Sequence, residues 1–396
     1  MSRWSEVALG DVLRERRQVP DLVVVELGGI PVVAKIVFET GQLEYREGRG
    51  TKTNMILVRP GDLLVSGINA YKGAIAYYGH ENSGPVAATI HYSAYEVLRD
   101  RADPRYLWWL LRSAAFQASL AHSAPGGIKT ELRAKRLLPM RVPLPPLSGQ
   151  REIARKLDHV ARSATCLERL GAECKRGIDA LPLSWMSQRL VDFETRFHSV
   201  PLRNLITASG YGTSIRCTGD RGESAVPILR IPNVASGRVV PQPMKYAELT
   251  SRELAKVEIA EGDLLIVRTN GSRDLVGRCA VVEGPREPTG FASYLVRLVP
   301  NQASVEPEYL QAVLSVRRSQ GALFDLARTT AGQYNISLGR LVSIAVPLPT
   351  LEEQRSCMHH LAALSGTAQR CSSTAHAASS LLPTIRASIE RNALFP

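Results

Sequence analysis

Few of the marks that reactive chemistry leaves are present in this sequence. The six cysteines, Cys166, Cys174, Cys217, Cys279, Cys357 and Cys371, never take a CxxC spacing, and four of them fall in segments expected to be helical. A zinc site and a disulfide framework are both disfavoured by that pattern. No Gly-Lys-Ser or Gly-Lys-Thr is there to cradle nucleotide phosphates, and no Asn-Pro-Pro-Tyr-like tetrapeptide is there to hold a flipped adenine. Pro20-Asp21 could open a nuclease motif, but Glu26 runs into Leu27-Gly28 with no lysine two residues on, so the segment reads as strand. The eight histidines include no HExxH, and His359-His360 reads as surface. Long apolar runs are missing, and Met1-Ser2-Arg3-Trp4 leads into an amphipathic stretch instead of a signal peptide, so the expected compartment is the reducing cytoplasm.

What is present is a repeat. Pro143-Leu144-Pro145-Pro146-Leu147 followed by Gln150-Arg151 returns as Pro347-Leu348-Pro349-Thr350-Leu351 followed by Gln354-Arg355, at a constant offset of 347 − 143 = 204. Gly61-Asp62-Leu63-Leu64-Val65 matches Gly262-Asp263-Leu264-Leu265-Ile266 at 262 − 61 = 201, and Tyr106-Leu107 matches Tyr309-Leu310 at 309 − 106 = 203. A period this long is not that of a solenoid. Each copy is expected to be a domain followed by a helix. With 396 residues, 44% hydrophobic and 22% charged, the chain is long and apolar enough for two ordinary cores.

After each proline motif lies a helical stripe. Ile153, Leu157, Val160, Ala164, Leu167, Gly171, Cys174, Ile178, Leu181 and Trp185 advance by alternating fours and threes, the seam of a coiled coil. Shifting by 204 gives Cys357, Leu361, Leu364, Ala368, Cys371, Ala375, Ala378, Leu382, Ile385 and Ile389. Two stripes in one phase predict helices that pack on each other, with Ile153, Leu157, Val160, Leu167, Ile178, Leu361, Leu364, Leu382 and Ile385 as the packing residues. Packing of each helix onto its own domain would produce a stripe as well. Thr350 and Glu353 predict a capping box for the second helix, and Ser148 a simpler cap for the first. Pro182 and Pro383 are expected to kink or end their helices. From Gln150 to Leu181 a straight helix spans roughly 50 Å at about 1.5 Å per residue, more than the roughly 34 Å of one DNA turn.

Residues 1–146 and 198–350 each mix short β-rich runs with one helical patch, so both read as α+β. Ile56-Leu57-Val58, Asp62-Leu63-Leu64-Val65 and Ala74-Ile75-Ala76-Tyr77-Tyr78 are expected strands, and Tyr106–Leu111 and Tyr309–Leu314 expected helices. Between the strands lie Gly-punctuated loops whose chemistry differs between copies. Ser66, Asn69 and Lys72 stand against Arg268, Thr269, Asn270 and Arg273; Lys129 and Thr130 stand against Gln333, Tyr334 and Asn335. Arg, Asn, Gln and Lys are the side chains that meet phosphates and base edges, although polar residues beside glycine also serve as plain turn formers. With Arg230 and Asn233 of the Ile228–Val234 stretch, these are the candidate DNA contacts. The net charge of +12 and pI near 9.6 suit a polyanionic partner, though a surface rich in arginine for no such purpose would carry the same charge.

The duplicated PLPPL-x-x-Q-R segment, Ile228–Val234, Thr269-Asn270-Gly271-Ser272 and Gly332-Gln333-Tyr334-Asn335-Ile336 together resemble, over the full length, a specificity subunit of type I restriction-modification systems. That resemblance implies two tandem target-recognition domains, 1–146 and 198–350, separated by two long antiparallel coiled-coil helices, 147–197 and 351–396. It also implies a chain without catalytic residues, metal or cofactor of its own, each domain reading one half of a bipartite duplex. S-adenosylmethionine, ATP and magnesium would belong to partners, which are two adenine-methyltransferase subunits and, in some assemblies, translocase/nuclease subunits. The helices would act as ruler and docking surface. Gly149 departs from the acidic residue usual before Gln150, and the first domain has no clear counterpart of Leu229–Val234.

Two other classes remain open from the residues alone. A duplicated-domain enzyme for a small molecule needs acid, base or nucleophile groups converging from both copies, and no such constellation is visible. A protein-bridging scaffold without DNA contact has no reason to set different Arg, Asn and Lys groups at equivalent positions.

Overall fold

The computed structural model describes residues 4–46, 54–122, 131–330 and 332–395. It divides into two compact units, 1–172 with 376–396 and 173–375, so that each of the two long helices, Leu147–Arg196 and Leu351–Leu394, contributes to both.

In the first unit a four-stranded antiparallel sheet runs in the order Leu13–Arg16, Tyr92–Val97, Asp62–Ser66, Ile75–Tyr78. In the second, Ile206–Tyr211, Leu295–Pro300, Leu264–Val267 and Cys279–Val281 form a four-stranded antiparallel sheet with the same connectivity. The matched Gly-Asp-Leu-Leu segments lie at the same place in both. Gly61 (φ 99°) and Gly262 (φ 83°) take the left-handed conformation that a tight turn requires before the strand. The next residue ties the turn off. Asp62 Oδ2 accepts the Arg59 N–H at 2.9 Å and Asp263 Oδ2 accepts the Ala260 N–H at 2.6 Å. Leu63, Leu64, Leu264 and Leu265 then point alternately into two apolar layers and are all fully buried.

The expected helices form as Pro104–Arg112 and Pro307–Ser319. Each packs beneath its own sheet, with Tyr106, Leu107, Leu110 and Leu111 in one core and Tyr309, Leu310, Val313 and Leu314 in the other. The expected strands also form, as Met55–Val58, Asp62–Ser66 and Ile75–Tyr78. The segment after Pro20 is not a strand. Asp21 accepts the Val23 and Val24 N–H groups and caps a short helix, Leu22–Glu26, because an aspartate at that place satisfies the first free amides of a helix.

The proline motif makes one joint twice. Tyr106 Oη donates to Pro143 O at 2.9 Å and Tyr309 Oη donates to Pro347 O at 2.8 Å. Gln150 Nε2 donates to Pro145 O and Gln354 Nε2 to Pro349 O, at 2.8 and 2.9 Å. Pro143 and Pro347 close short antiparallel pairs with Glu6 and Ser199. The motif therefore turns each domain's last strand into a helix at a fixed geometry.

The capping box of the second long helix is present. Glu353 N donates to Thr350 Oγ1 at 3.3 Å and Thr350 N to Glu353 Oε2 at 3.2 Å. The first long helix starts at Leu147, which puts Ser148 inside its first turn instead of at its cap. Pro182 and Pro383 end neither helix. Residues beyond them are anchored in cores, Met186, Leu190 and Phe193 in the second unit and Leu394 in the first, and that burial outweighs the missing N–H.

The helices run antiparallel, since Ala154 and Leu157 share a core with Leu394 in the first unit and Arg196 pairs with Glu353 at 2.9 Å in the second. Their contact is narrower than a full heptad seam. Leu157, Ala164, Gly171 and Ile178 are covered at every seventh place, with Ile153 and Val160 half-buried, but Leu167 is 52% exposed. A Cβ placed on Gly171 would sit 3.0 Å from Ser379 Oγ, so small residues set the approach. On the second helix Leu361, Leu364 and Leu382 are half-buried, whereas Ile385 is 52% exposed. The covered line there passes through Cys357, Ala368, Ser379 and Glu390, eleven residues apart. A nearly straight helix turns about 3.6 residues per turn, and a seven-residue pattern drifts off the contact by about 20° per heptad. That drift carries Cys371, Ala378 and Ile385 into solvent.

Candidate nucleic-acid interface

The two loop segments that the sequence offers in the second copy form one structure. Thr269–Asn270 pairs antiparallel with Gln333–Ile336, which pairs in turn with Ala327–Thr330, giving a small three-stranded sheet. Thr269 lies opposite Asn335 and Asn270 opposite Tyr334. Because side chains alternate along a strand, Tyr334 and Ile336 face inward, Ile336 buried and Tyr334 against Phe324 at 5.0 Å between ring centroids. Gln333 and Asn335 take the opposite face.

That outer face is polar and organised. Arg268 Nη2 donates to Asn335 Oδ1 at 3.1 Å, and its guanidinium carbon stacks 4.4 Å from the Tyr211 ring centroid. Arg268 Nε is buried without a hydrogen-bond partner. Thr269 Oγ1 donates to Gln333 Oε1 at 3.4 Å. Arg273, exposed, lies over Phe324 at 3.9 Å. Asn270 turns its Oδ1 to the Ser272 N–H at 2.7 Å and serves its own loop.

The first unit repeats the frame. Leu132 N donates to Gly67 O at 2.7 Å, as Ile336 N donates to Arg268 O at 2.9 Å. Gly67 N donates to His91 O at 2.7 Å, as Arg268 N donates to Tyr294 O at 3.0 Å. On this shared backbone the side chains differ. Glu131 stands where Asn335 stands, paired with Arg133 and 3.3 Å from His91 Nδ1.

The other candidate contacts differ in how far they are exposed. Asn233 is 0% exposed. Its Oδ1 accepts the Arg230 N–H at 2.8 Å and its Nδ2 donates to Val240 O at 2.8 Å, so it pins a loop from inside. Arg230 is half-buried beside it, with Nη2 donating to Pro243 O at 3.5 Å. Ser66 is buried and accepts the Asn69 N–H at 3.2 Å, which makes it a turn former; Asn69 is half-buried, and its carbonyl accepts from Lys72 and Ala74. Lys72 is exposed and lies 5.5 Å from the Tyr71 ring centroid. Lys129 and Thr130 lie outside the described residues. Glu131 and His91 were not singled out by the sequence, yet the offset of 204 that relates the proline motifs carries Asn335 onto Glu131 and would have found it.

Among the described residues no group of His, Cys, Asp and Glu could hold a metal ion, and no helix is long and apolar enough to cross a membrane. Burial pushes the Cys279 thiol up to about 12 and the Cys357 thiol up to about 11, which leaves both protonated and unreactive at neutral pH.

Two modules of one fold, carrying different polar faces and each continued by one of two paired antiparallel helices, define the class of this protein. The chain is homologous in sequence, and alike in fold, to specificity subunits of type I restriction-modification systems. It is 29% identical over 229 residues to the Type I restriction enzyme EcoKI specificity subunit of Escherichia coli, covering 54% of this chain and 48% of that protein. It is 24% identical over 261 residues to the StySPI specificity subunit of Salmonella potsdam, covering 63% and 56%. In these matches the chain spans about half the length of the curated relatives. No family model matches. Among solved structures, a chain from work on complex assembly and conformational transition of a type I R-M system aligns with a TM-score of 0.71 at 19% identity, over 99% of this chain and 97% of that one. The HsdS subunit from Thermoanaerobacter tengcongensis aligns with a TM-score of 0.62 at 19% identity, over 99% and 96%.

Proposed function

We propose that this chain is the non-catalytic sequence-recognition subunit of a type I restriction-modification complex. Residues 1–146 and 198–350 are its target-recognition domains, each reading one half of a bipartite duplex. The single observation that carries this reading is the frame used twice with different side chains, Glu131 and His91 on one copy and Arg268, Gln333 and Asn335 on the other. One fold that presents two polar faces suits two different half-sites. The charge of +12 adds the sequence-independent attraction to phosphates that such binding needs.

The long helices, 147–197 and 351–396, are the docking surface for two methyltransferase subunits, with translocase/nuclease subunits joining the same assembly. Exposed Leu167, Leu170, Leu381 and Ile385 give the helices the apolar area that a partner would cover. Adenine methylation, with its S-adenosylmethionine, and ATP-driven steps, with their magnesium, belong to those partners. The assembly works in the cytoplasm, where its DNA lies.

The test is selection of a randomised duplex library by the full-length chain together with its methyltransferase subunit, followed by exchange of residues 198–350 for the corresponding domain of another specificity subunit. A bipartite motif in which the exchange alters one half is the expected result. Retention of duplexes without sequence preference, or a change in both halves, would overturn the reading.

A further inference from the structure

Building on the proposal that each unit reads a half-site, we infer that Glu131 and Asn335 are paired specificity-determining residues, an acceptor in one unit and a donor in the other. Their equivalence rests on backbone geometry. Glu131 immediately precedes Leu132, whose N–H donates to Gly67 O, and Asn335 immediately precedes Ile336, whose N–H donates to Arg268 O. The next bond along the frame is also repeated, from Gly67 to His91 and from Arg268 to Tyr294. The two side chains thus leave the same point of the same framework.

Their chemistry is opposite. A guanidinium has donors only, so the 3.1 Å contact from Arg268 Nη2 turns the amide oxygen of Asn335 toward Arg268 and takes one of its two lone pairs. The amide Nδ2 is left as the outward group. Stacking on Tyr211 at 4.4 Å fixes the guanidinium, and with it the amide's orientation. Asn335 therefore acts as a donor. Gln333, on the same face and exposed, has no such restraint from arginine.

Glu131 has no donor at all. Its carboxylate is half-buried, paired with Arg133 and near His91, and two carboxylate oxygens offer about four lone-pair directions, so it keeps capacity to accept from a base. In the major groove, an acceptor selects the exocyclic amino groups of cytosine or adenine. A donor meets guanine O6 or N7, thymine O4 or adenine N7, and excludes cytosine, which offers no acceptor there. The first unit accordingly demands an amino-bearing base at one position of its half-site, and the second demands an acceptor-bearing base at the matching position of its own.

The experiment is selection from a randomised duplex library by full-length protein, wild type and the isosteric variants Glu131→Gln and Asn335→Asp, with the retained duplexes sequenced and each melting temperature measured. Glu131→Gln is expected to lower discrimination at one position of one half-site by roughly tenfold and to leave the other half-site as it was. Asn335→Asp, which turns a donor into an acceptor, is expected to change the preferred base at one position of the other half-site. A second pair, Glu131→Ala and Asn335→Ala, should flatten the same two positions, and serves if either isosteric variant melts early. A wild-type motif kept by the variants at undiminished discrimination, or altered in both halves by one variant, overturns the assignment while duplex recognition stands. Absence of any motif for the wild-type protein overturns duplex recognition itself.

Discussion

The backbone N–H of Glu306 donates to Gln354 Oε1 at 2.9 Å, and this bond ties the start of the 307–319 helix to the first turn of the second long helix. The same bond runs from Asp103 N to Gln150 Oε1 at 2.7 Å. Each glutamine also donates to two carbonyls, Pro145 and Arg101 in the first copy and Pro349 and Ser304 in the second. Both amides are almost wholly buried. Removing one leaves a buried N–H and two carbonyls without partners. Gln150→Ala and Gln354→Ala are each expected to lower stability by about 1–3 kcal/mol, read as a shift in the urea unfolding midpoint. A midpoint within error of wild type would contradict the joint described here.

Asp62 and Asp263 occupy one place in the duplicated sheet but are neutralised from different strands. Arg16 Nε reaches Asp62 at 2.7 Å from the sheet's edge strand, and Arg297 Nε reaches Asp263 at 2.6 Å from the neighbouring inner strand. Both carboxylates are 2% exposed. Truncating the arginine strands a buried charge, at a cost of about 3 kcal/mol. Arg16→Met and Arg297→Met should therefore destabilise more than Asp62→Asn and Asp263→Asn, which remove the charge and keep most of the turn's hydrogen bonding. Chemical denaturation of the four variants checks the order.

Alkaline pH should unfold the protein. Burial pushes the Tyr95 hydroxyl up to about 12 and the thiols of Cys279 and Cys357 up to about 12 and 11, and it raises Tyr106 and Tyr309 as well. In the unfolded chain these groups lose their protons near the ordinary values of 10 for tyrosine and 9 for cysteine. The folded state then holds more protons than the unfolded one, so stability falls as pH rises. The full contribution is present below pH about 9 and is lost progressively toward 12. Melting temperatures measured from pH 7 to 11 should be flat at first and drop above about 9; a rise across that interval would contradict the sign.

Helix length is expected to set the gap between half-sites. Four residues inserted into each long helix add about 6 Å at roughly 1.5 Å per residue, close to two base pairs at about 3.4 Å each. Insertion after Gly171 in one helix and after Ser379 in the other uses a point where the two helices face each other closely. Methylated positions mapped in cells carrying the extended protein should show a longer unread spacer with both half-sites kept. An unchanged spacer would remove the ruler role from the helices.

The repeat could be read directly because the same residues recur in the same order at a nearly constant offset. Gly61-Asp62 closes a turn on itself, and Thr350 with Glu353 caps its own helix. The helical stripes were legible for the same reason, but their phase was not. Two helices cover only a narrow line, and a seven-residue extrapolation cannot say where Ile385 leaves it. The loops were the least legible part. Ser66 and Asn233 have the composition of contacts, yet their polar atoms are spent on nearby backbone. The segment after Pro20 reads as a strand by its valines, but one aspartate cap made it helical.

The sequence by itself determined that one unit is used twice, that a long helix follows each proline motif, and that the chain carries a net positive charge, since repetition, periodicity and charge are properties of the chain alone. Only the tertiary structure decided that Thr269 and Asn335, sixty-six residues apart, are cross-strand neighbours, that Arg268 donates to the Asn335 amide oxygen, and that Glu131 lies between Arg133 and His91. Those facts depend on strand pairing between distant segments. Pairing is set by which faces the core buries, and the linear order of residues does not record it.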